Sequence, residues 1–168
     1  MKNRIELAKH FNELGFKKGV EVGVAQGIYS RILLDNIPGL DLLGVDSYEG
    51  KWAPLYDEAV KNHPNLIKGK SIDVASSIAD ESLDFVFIDA DHTYESVKED
   101  IEAWTPKVRK GGIVSGHDYY MTRQGNFGVI QAVNDYVDQH GYKLQTTLWD
   151  LHAYKDDKQP SWYFRKDK

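Results

Sequence analysis

The run LDFVFIDAD, residues 83–91, constrains the fold more than any other stretch of the chain. Its apolar residues follow one another instead of alternating with polar ones, so they cannot all face one side of a strand. A strand of this kind is covered on both faces, as in a parallel sheet packed between helices. The flanking segments fit that frame. Ile5, Ala8, Phe11 and Leu14 recur at helical spacing, with Gly15 as a stop signal. GVEVGV (19–24) and LDLLGVD (40–46) read as strands, separated by a helical pattern through Ile28, Ile32 and Leu33 that breaks at Pro38-Gly39. Residues 54–62 read as helix, NLIKG (65–69) as a third strand and 71–79 as a weak helix.

Beyond the fourth strand, Tyr94, Val97, Ile101 and Trp104 mark an amphipathic helix with Thr93 placed to cap it. Lys110-Gly111-Gly112 turns the chain into a fifth strand, GIVSG, and residues 127–140 read as helix. YKLQTTLW and SWYFRK read as two strands of an antiparallel hairpin joined by an Asp-rich loop. Strands alternating with helices predict an α/β fold. No repeat or linker interrupts it, so a single domain over residues 1–168 is expected.

Bulk properties narrow the function. The chain has no cysteine, which removes disulfides, thiolate catalysis and Cys-ligated zinc. A net charge of -5 argues against a nucleic-acid backbone or an anionic membrane as the main partner. No stretch approaches the roughly 20 apolar residues of a membrane span. The N-terminus, MKNRIELAKHF, lacks the apolar run of a signal peptide, so a cytoplasmic protein is expected.

In parallel α/β sheets ligands bind beyond the carboxyl ends of the strands. There this chain places Glu21, Gly23 and Gly27, an acid and two glycines ahead of a helix. The glycines would let backbone approach a ligand, and the helix N-terminus offers N–H donors. Glu21 should meet a backbone N–H or a polar or cationic ligand; the plain alternative is a tight turn with a satisfied acid. The second strand ends at Asp46, an acid suited to ribose hydroxyls. Together these favour a cofactor that contains adenosine.

The turn lacks the middle glycine of G-x-G-x-x-G, which argues against a pyrophosphate cradle. E-x-G-x-x-x-G instead resembles the first motif of the class I S-adenosylmethionine-dependent methyltransferases. FIDADHTYESVKEDIEAW and GGIVSGHDY resemble the small O-methyltransferases related to macrolide-sugar and cephalosporin-tailoring enzymes. The resemblance runs from about residue 18 to 140. It implies a Rossmann-like sheet of seven strands, ordered 3-2-1-4-5-7-6 with the last antiparallel. It also implies that Glu21, Gly23, Gly27 and Asp89 line S-adenosylmethionine, that Asp46 holds its ribose, and that Ser71 contacts adenine. The acid usual in that last segment is Lys70 here.

A second group of residues gathers polar chemistry. Asp89, Asp91 and His92 follow the fourth strand, and His117 and Asp118 follow the fifth. Neighbouring strands lie about 5 Å apart, so Asp89, His117 and Asp118 can converge. Two carboxylates and an imidazole suit Mg²⁺ or Mn²⁺; the alternative is that each residue merely caps a strand or helix. The resemblance implies that Asp89, His117 and Asp118 hold a metal and that His92 is the base, with Asp91 as the second candidate for either role. Its members commonly place an acid where this chain has His117.

The loop YYMTRQGNFG (119–128), with Arg123, is expected to contact the acceptor, a small hydroxylated molecule. Tyr48 and Trp52 form either an opposite wall or satellite core. A partner subunit is expected to help close the site. Three rival readings stay open: a metal-independent N- or O-methyltransferase, an NAD-dependent dehydrogenase, and a binding module without turnover.

Overall fold

The computed structural model describes residues 1–63, 65–122, 125, 128–150 and 158–167; Arg123 and the Asp-rich loop at 151–157 lie outside them. The order is α1 (Arg4–Glu13), β1 (Lys18–Val22), α2 (Ile28–Asn36), β2 (Asp41–Asp46), α3 (Tyr56–Asn62), β3 (Leu66–Lys68), α4 (Ser71–Ser77) and β4 (Leu83–Ile88). Then follow α5 (Tyr94–Trp104), β5 (Val108–Gly116), α6 (Gly128–His140), β6 (Gln145–Thr146) and β7 (Trp162–Arg165). Short 3-10 turns occupy Gly50–Leu55 and Thr105–Lys107.

The strands form one sheet ordered β3-β2-β1-β4-β5-β7-β6. β1, β2, β3, β4 and β5 pair in parallel, and β7 runs antiparallel to both β5 and β6. The expected order and the antiparallel last strand are both observed. The tail strands are shorter than their β-rich sequence suggests. Lys110–Gly112 lies inside β5, where the register against β4 shifts between Leu83 and Phe85, so the glycines bend a strand and do not precede one.

β4 shows why its sequence is continuously apolar. Val86 and Ile88 pack with Val97, Ile101 and Trp104 of α5 and with Ala132 and Val133 of α6. Phe85 and Phe87 face the other way, into Leu7 and Phe11 of α1 and Tyr29 and Leu33 of α2. Phe85 stacks on Phe11 with ring centroids 4.4 Å apart. Its ring lies so close to Gly19 of β1 that a Cβ there would come within 2.3 Å of it. The central strand is thus buried on both faces, and its carboxyl end delivers Asp89 to the sheet's upper edge.

Candidate active site

Asp46, at the end of β2, organises the loop after β1. One of its carboxylate oxygens accepts the Ala25 N–H and the other the Tyr48 N–H, both at 2.9 Å. The Tyr48 hydroxyl returns a hydrogen bond to the Ala25 carbonyl at 3.0 Å. Tyr48 is buried with Val24 and Ala59, so it belongs to the satellite core, whereas Trp52 is 47% exposed on the cavity wall. The two alternatives left open by sequence are divided between these two residues.

Gly23 has φ +85, and a Cβ on it would come within 2.0 Å of the Asp89 carbonyl oxygen. That glycine lets the β1 turn press against the end of β4, backbone to backbone, where sequence suggests an approach to a ligand. Gly27, at φ +75, precedes the first turn of α2, and a Cβ on it would come within 2.9 Å of Asn62 Cβ in α3.

Glu21 is 2% exposed. Its partner is the hydroxyl of Ser30, from α2, which donates to Oε2. Burial pushes its carboxyl up to about 8, the Ser30 bond opposing this and the charge on Asp89 adding to it. Glu21 is therefore a neutral acid at neutral pH, held by the side chain of Ser30, a third kind of partner beside the backbone N–H and the polar or cationic ligand that sequence left open.

Four titratable groups meet where β4 and β5 end. His92 Nε2 lies 3.1 Å from Asp118 Oδ2 and 3.5 Å from Asp89 Oδ1. His117 is buried beneath them, with Nδ1 3.5 Å from Asp118 and 3.7 Å from Asp89. Asp118 takes φ +55, a left-handed conformation that turns its carboxylate back toward Asp89. Burial alone would raise the Asp89 carboxyl, but the His92 hydrogen bond and the charges of His117 and Arg4 carry it below its usual range. Asp118 moves the other way, raised by burial and by the charge on Asp89. The Asp89 bond raises His92, against the effect of burial. The two acids are thus driven apart, Asp89 lowered and Asp118 raised.

Among the described residues, the donors that gather within 4.8 Å of one another as a candidate cation site are Asp89, His92 and Asp118. Two carboxylates and an imidazole fit a hard divalent ion that keeps some of its water. His117, the imidazole expected from sequence to hold a metal, lies beside the same two carboxylates, 3.5 Å from Asp118 and 3.7 Å from Asp89. Asp91 does not join the cluster: its Oδ1 accepts the Thr93 N–H at 2.8 Å, and Thr93 in turn caps α5 through the Ser96 N–H. Its short acidic side chain is used at a helix start.

A cavity of about 730 Å³ opens beside this cluster. Glu21, Gly23, Asp46 and Asp89 line it, and Ser71 and Asp100 line it as well. Ser71 Oγ accepts the indole N–H of Trp104 at 2.7 Å. Asp100 is buried, which raises its carboxyl to about 6 against the Ser71 hydrogen bond. Among the lining residues that escaped sequence reasoning are Asp100 and Arg4. Asp100 looks like an ordinary helix acid, although its position one before Ile101 put it beside the apolar face. Arg4, in the first turn of α1, carries no linear signal at all.

A family model described as a methyltransferase domain matches residues 20–119, a span holding every residue discussed here from Glu21 to Asp118. No curated protein matches the chain by sequence. Among solved structures the chain is similar to an O-methyltransferase from Bacillus cereus in complex with SAH (17% identity, TM-score 0.73), covering 97% of this chain and 80% of that one. It is also similar to an O-methyltransferase from Streptomyces achromogenes involved in tomaymycin synthesis, in complex with SAM (12% identity, TM-score 0.71; 98% and 80% covered). A SAM-dependent methyltransferase from Archaeoglobus fulgidus has 12% identity and a TM-score of 0.68, with 96% and 94% covered. At such identities the likeness is one of fold.

Proposed function

The chain belongs to the methyltransferase-domain family that matches residues 20–119, and from that membership we propose that it transfers the methyl group of S-adenosylmethionine to a hydroxyl oxygen of a small molecule. The observation that carries this reading is the convergence of the turn residues from Gly23 to Gln26, Asp46 and Asp89 on one cavity next to a histidine–carboxylate cluster. Asp46 would accept from the ribose hydroxyls with lone pairs left by its two backbone bonds. Ser71 would lie toward adenine, and Glu21, the Gly23–Gly27 turn and Asp89 toward the amino-acid part. When bound, the cofactor supplies a methyl on a sulfonium: the acceptor oxygen bonds to that carbon as the carbon–sulfur bond breaks, its electron pair stays on sulfur, and the hydroxyl proton passes to a base.

His92 is the proton acceptor in this proposal. Its two carboxylate neighbours stabilise the imidazolium that results, and they also hold the ring in place. A divalent cation held by Asp89 and Asp118, with His92 or His117 as third ligand, would instead lower the pKa of a hydroxyl bound to it. Imidazole and cation compete for the same two carboxylates, so chelation separates the readings.

The test is calorimetric titration with S-adenosylmethionine and S-adenosylhomocysteine, followed by transfer of labelled methyl to a panel of small phenols and sugars, with RNA as a control acceptor. Saturable binding near one per chain and labelling of a small hydroxylated molecule are expected. Loss of transfer in EDTA, restored by Mg²⁺, would assign the cluster to a metal; transfer indifferent to EDTA but lost in His92→Ala would assign it to the imidazole. Failure to bind either ligand would end the methyltransferase proposal for this cavity.

A further inference from the structure

Several acids line the cavity, and among the described residues one cation lies deep beside them. Glu21, Asp46, Asp89 and Asp100 contribute carboxyl groups, while Lys51 and Lys70 stand at the rim. Arg4 differs: its side chain is 12% exposed and lines the same cavity. Its guanidinium carbon sits 4.8 Å from the centre of the Tyr29 ring, and one of its terminal nitrogens is 3.4 Å from Asp89 Oδ2. The Tyr29 hydroxyl donates to the Arg4 carbonyl at 3.1 Å, so the first turn of α1 is pinned to the first turn of α2. Backbone, ring and carboxylate together fix where the guanidinium can be. At 3.4 Å the Asp89 contact is longer than a full-strength bond between a guanidinium and a carboxylate.

From this arrangement we infer that Arg4 binds the α-carboxylate of the cofactor's amino-acid end and makes the site selective for ligands that carry one. The inference rests on the S-adenosylmethionine reading above. An α-amino acid carries a cation and an anion on one shared carbon, so its site needs both signs of charge side by side. Asp89 offers an anion for the ammonium, and Arg4 beside it offers a deep cation for the carboxylate. Carboxylate recognition by a guanidinium is a charge-assisted bond with a preferred planar geometry, which a lysine at the rim would not reproduce. Arg4 also lies ahead of the matched residues 20–119, so this contact belongs to the N-terminal helix of this chain and not to the matched family region.

The experiment compares S-adenosylhomocysteine with S-adenosyl-3-thiopropylamine, the same molecule without its carboxylate, by calorimetry on the full-length protein. Wild type should bind the carboxylate-bearing ligand more tightly by roughly 10- to 100-fold. Arg4→Ala should collapse that ratio toward one by weakening S-adenosylhomocysteine only, the amine being bound no less tightly. Arg4→Lys should fall between, and Arg4→Gln, closer in size, serves if Arg4→Ala melts at room temperature. A wild-type ratio near one, or a variant that weakens both ligands equally while keeping its melting temperature, would overturn the Arg4 assignment alone. Wild-type protein that takes up neither ligand would overturn the cofactor reading, and this inference with it.

Discussion

Three residues near the cavity answer to different physics, and each makes its own prediction. Glu21 is protonated in the folded state up to about pH 8 but ionises near its ordinary value of 4.5 when unfolded. Between those values the native chain binds a proton that the unfolded chain does not, so its stabilising effect is complete below 4.5 and is lost as pH rises through about 8. Glu21→Gln should therefore melt at a temperature that rises relative to wild type across that window, with a total change on the order of a few kcal/mol; parallel melting curves at every pH would contradict this. Asp46→Ala should weaken S-adenosylhomocysteine by about 1.5–3 kcal/mol, roughly 10- to 150-fold, through lost charge-assisted bonds. Asp46 also holds the Ala25 and Tyr48 N–H groups, and Asp46→Asn keeps the shape but can accept only one of them, so the melting temperature of each variant is measured beside its affinity. Gly23→Ala places a Cβ where the Asp89 carbonyl now stands, at an unfavourable φ as well. It should destabilise the fold by several kcal/mol, measured by urea unfolding, and wild-type stability in the Gly23→Ala chain would refute the close approach.

At the scale of elements, the helices carry the site by their ends. α5 begins immediately after the cluster, and Thr93 caps it by accepting the Ser96 N–H while Asp91 accepts the Thr93 N–H. Thr93→Ala should cost about 0.5–2 kcal/mol, as loss of an N-cap usually does, with a matching fall in the urea midpoint. Sequence periodicity located this helix well because its apolar positions and its cap agree. It was less informative for the tail, where Gln145–Thr146 is the strand formed within YKLQTTLW. β-rich composition describes what would pair if a partner strand were alongside, but the partner is supplied by the rest of the sheet. The division between Asp91 and His92 was equally out of reach, since they are neighbours in the same turn after β4. Which of them caps a helix and which turns to Asp118 depends on where α5 starts and on the position of β5.

For the whole molecule, the sheet order places β1, β4 and β5 at the centre and β3 and β6 at opposite edges. Amide hydrogen exchange should follow that order, slowest in Val86, Phe87 and Val114, fastest in the exposed β6 pair Gln145 and Thr146; protected edges with a labile centre would contradict the topology. Among the described residues no helix is long and apolar enough to cross a membrane. By itself the sequence determined the α/β alternation, the doubly covered β4, the loop between Glu21 and Gly27, and the carboxylates at the strand ends. These are local properties, set by periodicity, by glycine at special backbone angles and by polar residues clustering at the ends of apolar runs. Only the tertiary structure decided that Gly23 serves the end of β4, that Ser30 is the partner of Glu21, that His92 stands between Asp89 and Asp118, and that Arg4 and Asp100 enter the cavity. Those contacts join residues tens of positions apart in most cases. Their distances exist only after the sheet has brought the strand ends together, which is why no spacing along the chain encodes them.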